Sequence, residues 1–342
     1  MHRHGTSLRA YLLTRLALAI PTVLILLTLV FLLMRVAPGD PIQAALGGHV
    51  SQQEIAKRRA AAGYDRPIVT QYFDYLGNAV TLRLGTTLTD HRTVQSILRE
   101  NGSATLELTI YAFAIAVAVG VAIGLVAGRY RDTWADTAGR LFGIVVYAAP
   151  VFFTGFLLQL LFGVTLGWLP TSGRAGPVTE FELHKATHIY TIDGLISGNW
   201  NALEDVLRHL VLPSVTLGLL VSGVLIRLVR VNVLQTMRGD YVEAARARGL
   251  TERRVVLHHA FRNALVPVVT VAGLQFAILL GGAILTEETF NWPGIGSELV
   301  RYLNNRDYIA VQGIITVFAL AVVIVSLLID LVNASIDPRV RY

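Results

Sequence analysis

The densest run of functional side chains in this sequence lies between Met237 and Pro267. Asp240 and Tyr241 lead into Glu243-Ala244-Ala245, then come Arg246, Arg248, Gly249, Thr251 and Glu252, with Arg253 and Arg254 behind them. Nothing here pairs a nucleophile with a base or gathers metal ligands; the pattern suits docking. Glu243-Ala244-Ala245 predicts a helix whose small residues let another surface approach closely, and Gly249 is placed to end it at positive φ. Thr251 can cap a second helix, with Glu252 in the first turn near the positive dipole end. The expected product is a short helix, a sharp turn and a helix running into the next apolar stretch, an element fit to carry displacement inward from a partner. An amphipathic helix whose arginines only touch lipid headgroups is the competing reading, and the residues alone leave the two level.

Other chemistry is sparse. The chain has no cysteine, which excludes disulfides, thiol nucleophiles and cysteine-ligated metals. His184 and His188 stand at i and i+4, a spacing that could hold a metal on a helix, but no carboxylate or second pair accompanies them, so they read as loop histidines. His258-His259, His2 and His4 are weaker still. No Gly-x-x-x-x-Gly-Lys-Ser/Thr phosphate loop occurs, so the chain does not bind ATP in that manner. Glu107 reads as an interfacial carboxylate with its head in water, ahead of a place on a translocation path or a pairing with an arginine, and Arg227 and Arg230 read as snorkelling anchors ahead of gates.

The elements around these residues are membrane spans. Charged residues make up 15% of the 342 residues, hydrophobic ones 54%, and the mean hydropathy is +0.56, which leaves too little polar surface for a water-soluble particle. Six uncharged apolar runs can be read off: 16–34, 108–128, 141 onward to Arg174, 209–226, 263–286 and 308–329. Each suits a spanning helix of about 17 to 25 residues. The first ends in Arg35 and a Pro38-Gly39-Asp40-Pro41 turn without a cleavage pattern, so it reads as an uncleaved helix.

With the N-terminus inside, the inner segments carry 16 basic residues against 7 acidic, and the outer segments 13 against 15. The positive-inside rule therefore places both termini in the cytoplasm. The net charge of +6 has a topological origin and needs no nucleic acid.

The first outer segment reads as folded. Ser51 and Glu54 have capping-box spacing and Gly63 sits at a helix end, predicting a helix over 52–62. Ile68, Tyr72, Tyr75 and Leu76 recur at helical spacing, as do Val94, Ile97 and Leu98 before Asn101-Gly102 stops the run. The second outer segment, 171–208, shows no sustained period. The expected organisation is 1–34 as N-terminus and first span, 35–103 as an extracytoplasmic helical segment, and 104–342 as a five-span core with a coupling loop at 230–262.

Glu243-Ala244-Ala245, three residues and Gly249 match the EAA-loop signature of permease subunits of bacterial ATP-binding-cassette (ABC) importers. The surrounding words resemble the B-type permeases for dipeptides and oligopeptides: Pro38-Gly39-Asp40-Pro41; Pro67, Gln71-Tyr72 and Tyr75-Leu76; Thr105-Leu106-Glu107-Leu108; Asp240-Tyr241; Phe290 to Gly296; Arg306-Asp307-Tyr308; and Asp337-Pro338-Arg339. The general signature ends in Ile-x-Leu-Pro, where this chain has His259-Ala-Phe-Arg262 and its proline at Pro267, an ending similar to the peptide subfamily.

The resemblance implies an all-α polytopic membrane protein of six transmembrane helices, of the type I ABC importer permease kind. It implies a second homologous permease subunit, two ATP-binding subunits that hold ATP and Mg, an extracytoplasmic substrate-binding protein, and membrane lipid around the spans. It assigns ATPase coupling to Asp240, Tyr241, Glu243, Ala244, Ala245, Arg248 and Gly249, and no catalytic residue or metal to this chain. Di- or oligopeptides are the implied cargo, with nickel or another small peptide-like cargo also open. An ion-coupled carrier would show ionisable residues or repeats inside the spans, and an intramembrane protease a Ser/His or paired-Asp set; neither is evident.

Overall fold

A computed structural model describes residues 8–36, 51–61 and 63–336. The Pro38-Gly39-Asp40-Pro41 turn, His2, His4, Ala62, the Glu54 side chain and Asp337-Pro338-Arg339 lie outside the described residues. Among the described residues there is no β-strand, only an isolated bridge between Thr86 and Thr93.

Four long apolar helices form the frame. They are α1 (Leu8–Val36); α4 (Val94–Ile97) continued through a π-helical turn (Leu98–Gly102) into α5 (Ser103–Arg129); α10 (Trp200–Thr236); and α16 (Tyr308–Ile336). Two further spans are broken. The first joins α6 (Trp134–Ala148) to α7 (Val151–Leu158) and a π-helical end (Gln159–Thr165) with a bend of 104°. The second joins α12 (Glu252–Arg254), a π-helical turn (Val255–Ala260) and α13 (Phe261–Gly282), bent by 55° near Pro267. Counting each bent pair once gives six, the number read from the sequence.

Three details differ from the sequence reading. Asn101-Gly102 does not stop the helix. The π turn absorbs the extra residue, and the buried Asn101 side chain donates to the Pro293 carbonyl at 2.9 Å instead of capping its own backbone. The uncharged run after 141 is not one straight span, because Pro150 forces Ala149 into extended backbone at ψ 131 and the chain turns there. The segment 171–208 is ordered, with α8 (Pro177–Glu182), α9 (Tyr190–Ser197) and the start of α10, around a small core of Leu183, Tyr190, Ala202 and Val206.

The remaining helices are α2 (Gln52–Ala61), α3 (Ile68–Val80), α11 (Asp240–Ala247), α14 (Ile284–Thr289) and α15 (Ile295–Asn304). Gly63 ends the α2 region at φ +73, as its position predicted. The loop before α4 is pinned to α16 by Asp307, whose buried carboxylate accepts from the Leu88 and Thr89 backbone N–H groups at 2.6 and 3.0 Å.

The centre of the frame is a seam between α5 and α10. Ala104, Leu108, Ala112, Ala116, Gly120, Gly124 and Gly128 recur every fourth residue and are all buried, so one helix face carries mainly small side chains. Such a stripe lets backbones approach closely, which drives helix association where burial from water supplies no force. A Cβ on Gly124 would stand 2.7 Å from the Val229 Cβ and 2.9 Å from the Ile226 carbonyl oxygen. Gly124→Ala is therefore expected to cost about 1–3 kcal/mol as the seam is forced apart. Gly77→Ala on exposed α3, where nothing lies within 4 Å, should be neutral or better. Thermal unfolding of the purified complex in detergent checks this, and equal melting of both variants would show that the seam is not tightly packed.

Candidate functional site

The Met237–Pro267 stretch folds into an elbow. Helix α11 closes in a Schellman motif: the Gly249 N–H bonds the Arg246 carbonyl at 2.8 Å, the Leu250 N–H reaches the Ala245 carbonyl at 3.3 Å, and Gly249 takes φ +74. Val242, Ala245 and Val255 form the elbow's own buried core, with Met237 and Leu250 packed against them. Arg246 ties the two arms by donating from Nε to the Glu252 carboxylate at 2.6 Å. The second arm then passes through the π turn into α13, ahead of the 55° bend near Pro267.

The expected coupling residues divide across this elbow. Asp240, Tyr241, Glu243, Ala244 and Arg248 are exposed on α11 and its C-cap, and Tyr241 donates its hydroxyl to the Thr236 carbonyl at 3.0 Å. Ala245 faces inward, so its small size serves the packing of α11 on Val255, and the outward small face reduces to Ala244 and Ala247. Thr251 stands at the start of the second arm in extended backbone, yet its side chain makes no capping bond. Arg230 is not a free anchor: its guanidinium meets the fully buried Asp136 at 2.6 and 2.8 Å, fastening α10 to the first turn of α6. Arg227 is exposed.

Near the N-terminal end of α5 lies a buried polar clasp, the arginine pairing of Glu107 that the sequence ranks below a solvated carboxylate. Glu107 is 1% exposed and Arg174 3%. Arg174 donates Nε and Nη2 to Glu107 Oε2 at 2.9 and 2.5 Å, while Oε1 accepts from the Thr191 backbone N–H and hydroxyl at 2.8 and 2.7 Å. The guanidinium also donates to the His188 carbonyl at 2.7 Å and lies 3.8 Å over the Tyr190 ring. Glu107 is thus a satisfied buried carboxylate and not a solvated interfacial one. The available signal was Arg174 itself, which breaks an otherwise uncharged run beginning at 141. His184 and His188 lie in non-helical backbone, so the i and i+4 geometry required for a shared ligand does not form.

Two residues earlier on α5, Thr105 donates to Glu287 Oε1 at 2.5 Å and accepts from the Ile295 N–H at 2.8 Å. Glu287 Oε2 accepts from the Ser297 N–H at 2.8 Å, and Gly294 and Gly296 leave no room for a Cβ against its carboxyl. Trp292, fully buried, donates its indole N–H to the Ala104 carbonyl at 3.0 Å. The words Thr105-Leu106-Glu107-Leu108 and Phe290 to Gly296, far apart in the chain, are two halves of one clasp. Burial pushes the Glu287 carboxyl above its ordinary range despite the hydrogen bonds from Thr105, Ser297 and Gly296 that pull it down.

The elbow, the clasp and the broken spans belong to a polytopic helical membrane protein with a two-armed elbow at one end. The chain belongs to the binding-protein-dependent transport system inner membrane component family: that family's profile matches residues 120–342, and the profile for the N-terminal part of such components matches residues 8–105. It is similar to the di/tripeptide transport system permease protein DppB of Pseudomonas aeruginosa, 38% identical over 334 residues that cover 97% of this chain and 99% of that protein. The dipeptide permease DppB of Alkalihalophilus pseudofirmus is 36% identical over 333 residues, again 97% of this chain and 99% of that protein. The glutathione permease GsiC of Salmonella choleraesuis is 37% identical over 332 residues with the same shares. Among solved structures, an inward-facing MetNI methionine ABC transporter chain has the same fold, with a TM-score of 0.52 and 14% identity over 70% of this chain and 96% of that one. Members of this family are the permease components of ABC importers, which work with ATPase and substrate-binding partners.

Two outcomes follow from the clasp. Arg174→Met leaves Glu107 buried without its cation and is expected to cost about 3–5 kcal/mol. The Glu107→Gln/Arg174→Met pair should cost less, and the same drop in melting temperature for both would show that the ion pair is not what holds the loop. Glu287 has the raised pKa of a group whose neutral form the fold prefers. Its stabilisation is full below the unfolded carboxyl's range and is lost as pH rises through the folded value. Glu287→Gln should flatten that alkaline-side loss in a pH series of melting temperatures; an unaltered slope would assign it elsewhere.

Proposed function

We propose that this chain is one of two homologous permease subunits of an ATP-driven importer of di- and oligopeptides, docked on two ATP-binding subunits and supplied by an extracytoplasmic substrate-binding protein. ATP and Mg act in the partner subunits, and this chain has no ATPase site of its own. The relatives named above transport a dipeptide, a di- or tripeptide and glutathione, itself a modified tripeptide, which supports a short-peptide cargo. The distribution of arginine supports an orientation with both termini in the cytoplasm and the elbow facing the ATPases. On that orientation, 1–34 is the N-terminus and first span, 35–103 an extracytoplasmic helical segment, and 104–342 the permease core with its coupling loop at 230–262.

The observation that carries this reading is the elbow. Its exposed arm bears Asp240, Tyr241, Glu243, Ala244 and Arg248, Ala245 and Gly249 fix its bend, and its second arm is continuous with α13. A push on α11 from an ATPase subunit therefore reaches the spans through a hydrogen-bonded helix. Closure and reopening of the ATPase pair would switch the pathway between inward- and outward-facing states by rigid-body exchange. A cavity of about 470 Å³ among α5, α10, α13 and α16 is lined by aliphatic and phenyl groups such as Phe113, Val117, Leu265, Phe276 and Leu328. Such walls suit a passage whose selectivity resides in the binding protein.

Glu243→Trp keeps the fold, because Glu243 is exposed, and places a bulky ring on the docking face. Uptake of a labelled dipeptide by cells bearing the complex should fall at least about tenfold, a loss of about 1.4 kcal/mol or more in coupling, with the amount of complex in the membrane unchanged. Undiminished uptake would remove the coupling role of α11.

A further inference from the structure

A cavity of about 520 Å³ opens beside the end of α1, bounded by α3, the loop 83–91 and the first turns of α16. Among the described residues its basic side chains are Arg35, Arg83 and His91, and its one carboxylate, Asp74, is already taken by Arg66 at 3.0 Å. The Arg35 guanidinium is held between the rings of Phe31 and Tyr64 at 4.8 and 4.5 Å, and gives Nε and Nη2 to the Gln71 side-chain Oε1 at 3.0 and 2.8 Å. Its Nη1 is shut off from solvent and has no hydrogen-bond partner among the described residues. Arg83 is exposed, and its side chain makes no hydrogen bond or ion pair among the described residues. The loop that carries Arg83 is bounded by Leu82 at φ 55 and His91 at φ 56, two non-glycine residues in left-handed backbone, a strain that marks functional rims.

The position of α3 says what meets this cavity. The Tyr72 and Thr28 hydroxyls are 2.6 Å apart, and Thr28 lies seven residues before Arg35, roughly 10 Å down α1 at 1.5 Å per residue. The Tyr75 and Thr316 hydroxyls are 2.7 Å apart, with Thr316 about 12 Å along α16 from Tyr308. Helix α3 thus lies alongside α1 and α16, about 10 to 12 Å in from the ends that frame the cavity. Its outward residues Ile68, Val69, Phe73 and Val80 are 55, 62, 65 and 82% exposed, an apolar face that acyl chains running beside α1 would cover.

We propose that the cavity is a headgroup site for one anionic phospholipid, its phosphate taken by Arg35 and Arg83 with His91 at the rim, while its acyl chains run beside α1 and α3. Phosphate supplies the acceptor that Arg35 Nη1 lacks and the counter-charge that Arg83 lacks, and guanidinium is the side chain suited to it. The site holds for whichever leaflet α1 ends in, and does not rest on the peptide cargo.

The test is native mass spectrometry of the purified complex equilibrated with nanodiscs of phosphatidylglycerol or of phosphatidylcholine, comparing the natural chain with Arg83→Gln and Arg83→Glu. Arg83 is exposed and unpaired, so these variants fold; Arg35→Lys, which keeps the charge, is the second probe. The natural complex should retain one phosphatidylglycerol more per permease than Arg83→Glu, with retention about tenfold weaker in that variant. Phosphatidylcholine should not substitute, and Arg35→Lys should lie between the two. Equal retention by all variants, or equal retention of phosphatidylcholine, overturns the proposal. So does arginine-dependent binding of inorganic phosphate alone without lipid preference, which gives the site to a free anion. Loss of substrate-binding-protein docking in Arg83→Glu with lipid retention unchanged also overturns it, and assigns the cavity to an acidic group of that partner.

Discussion

A carboxylate buried at a helix head must be paired, and Glu107 dictates much of what surrounds it. With 1% of its surface exposed, it requires a cation and donors for both oxygens. Arg174 and Thr191 supply them, and in doing so fix the path of the 171–191 segment over the start of α5. The segment is ordered for this reason and not by periodicity: its residues are tied to a point in the span instead of to an apolar face. The same constraint extends two residues back along α5, where Thr105 serves Glu287 and the Ile295 N–H, and Trp292 closes over Ala104.

That dependence explains which parts of the fold the sequence could reveal. Spans are legible because apolar length is a local property, and six runs were found where four straight and two bent helices stand. Gly63 and Gly249 were legible because a helix end at positive φ needs no distant partner. Asn101-Gly102 misled, since Asn101 finds its acceptor on Pro293, 192 residues away. Arg230 misled in the same manner, because its partner Asp136 lies 94 residues back on another helix. Local rules fail where a polar side chain is claimed by tertiary structure.

The helix–turn–helix geometry of the elbow was the most legible part, with one correction of substance. Small residues at Ala244 and Ala245 promise close approach without saying to what. The structure gives Ala245 to the elbow's own core with Val242 and Val255, and leaves Ala244 outward. An alanine pair on a short amphipathic helix has one residue for each duty, and only packing distinguishes them.

The helices also divide mechanically. Helices α5 and α10 touch so closely that Gly120, Gly124 and Gly218 could not carry a methyl group without displacing a neighbour, so they behave as one stiff body. The two jointed spans each contain a break: Pro150 between α6 and α7, and the π turn with Pro267 in the span that continues the elbow. Proline removes a ladder hydrogen bond and π turns loosen the register, so bending costs least at these points. On the proposed coupling role, a displacement delivered at α11 would enter the span that is already jointed, while the clasp at Glu107 and the glycine seam would hold the reference body still. Bending would then concentrate where the hydrogen-bond ladder is interrupted, with the body tied by the buried Glu107–Arg174 pair as its fixed reference.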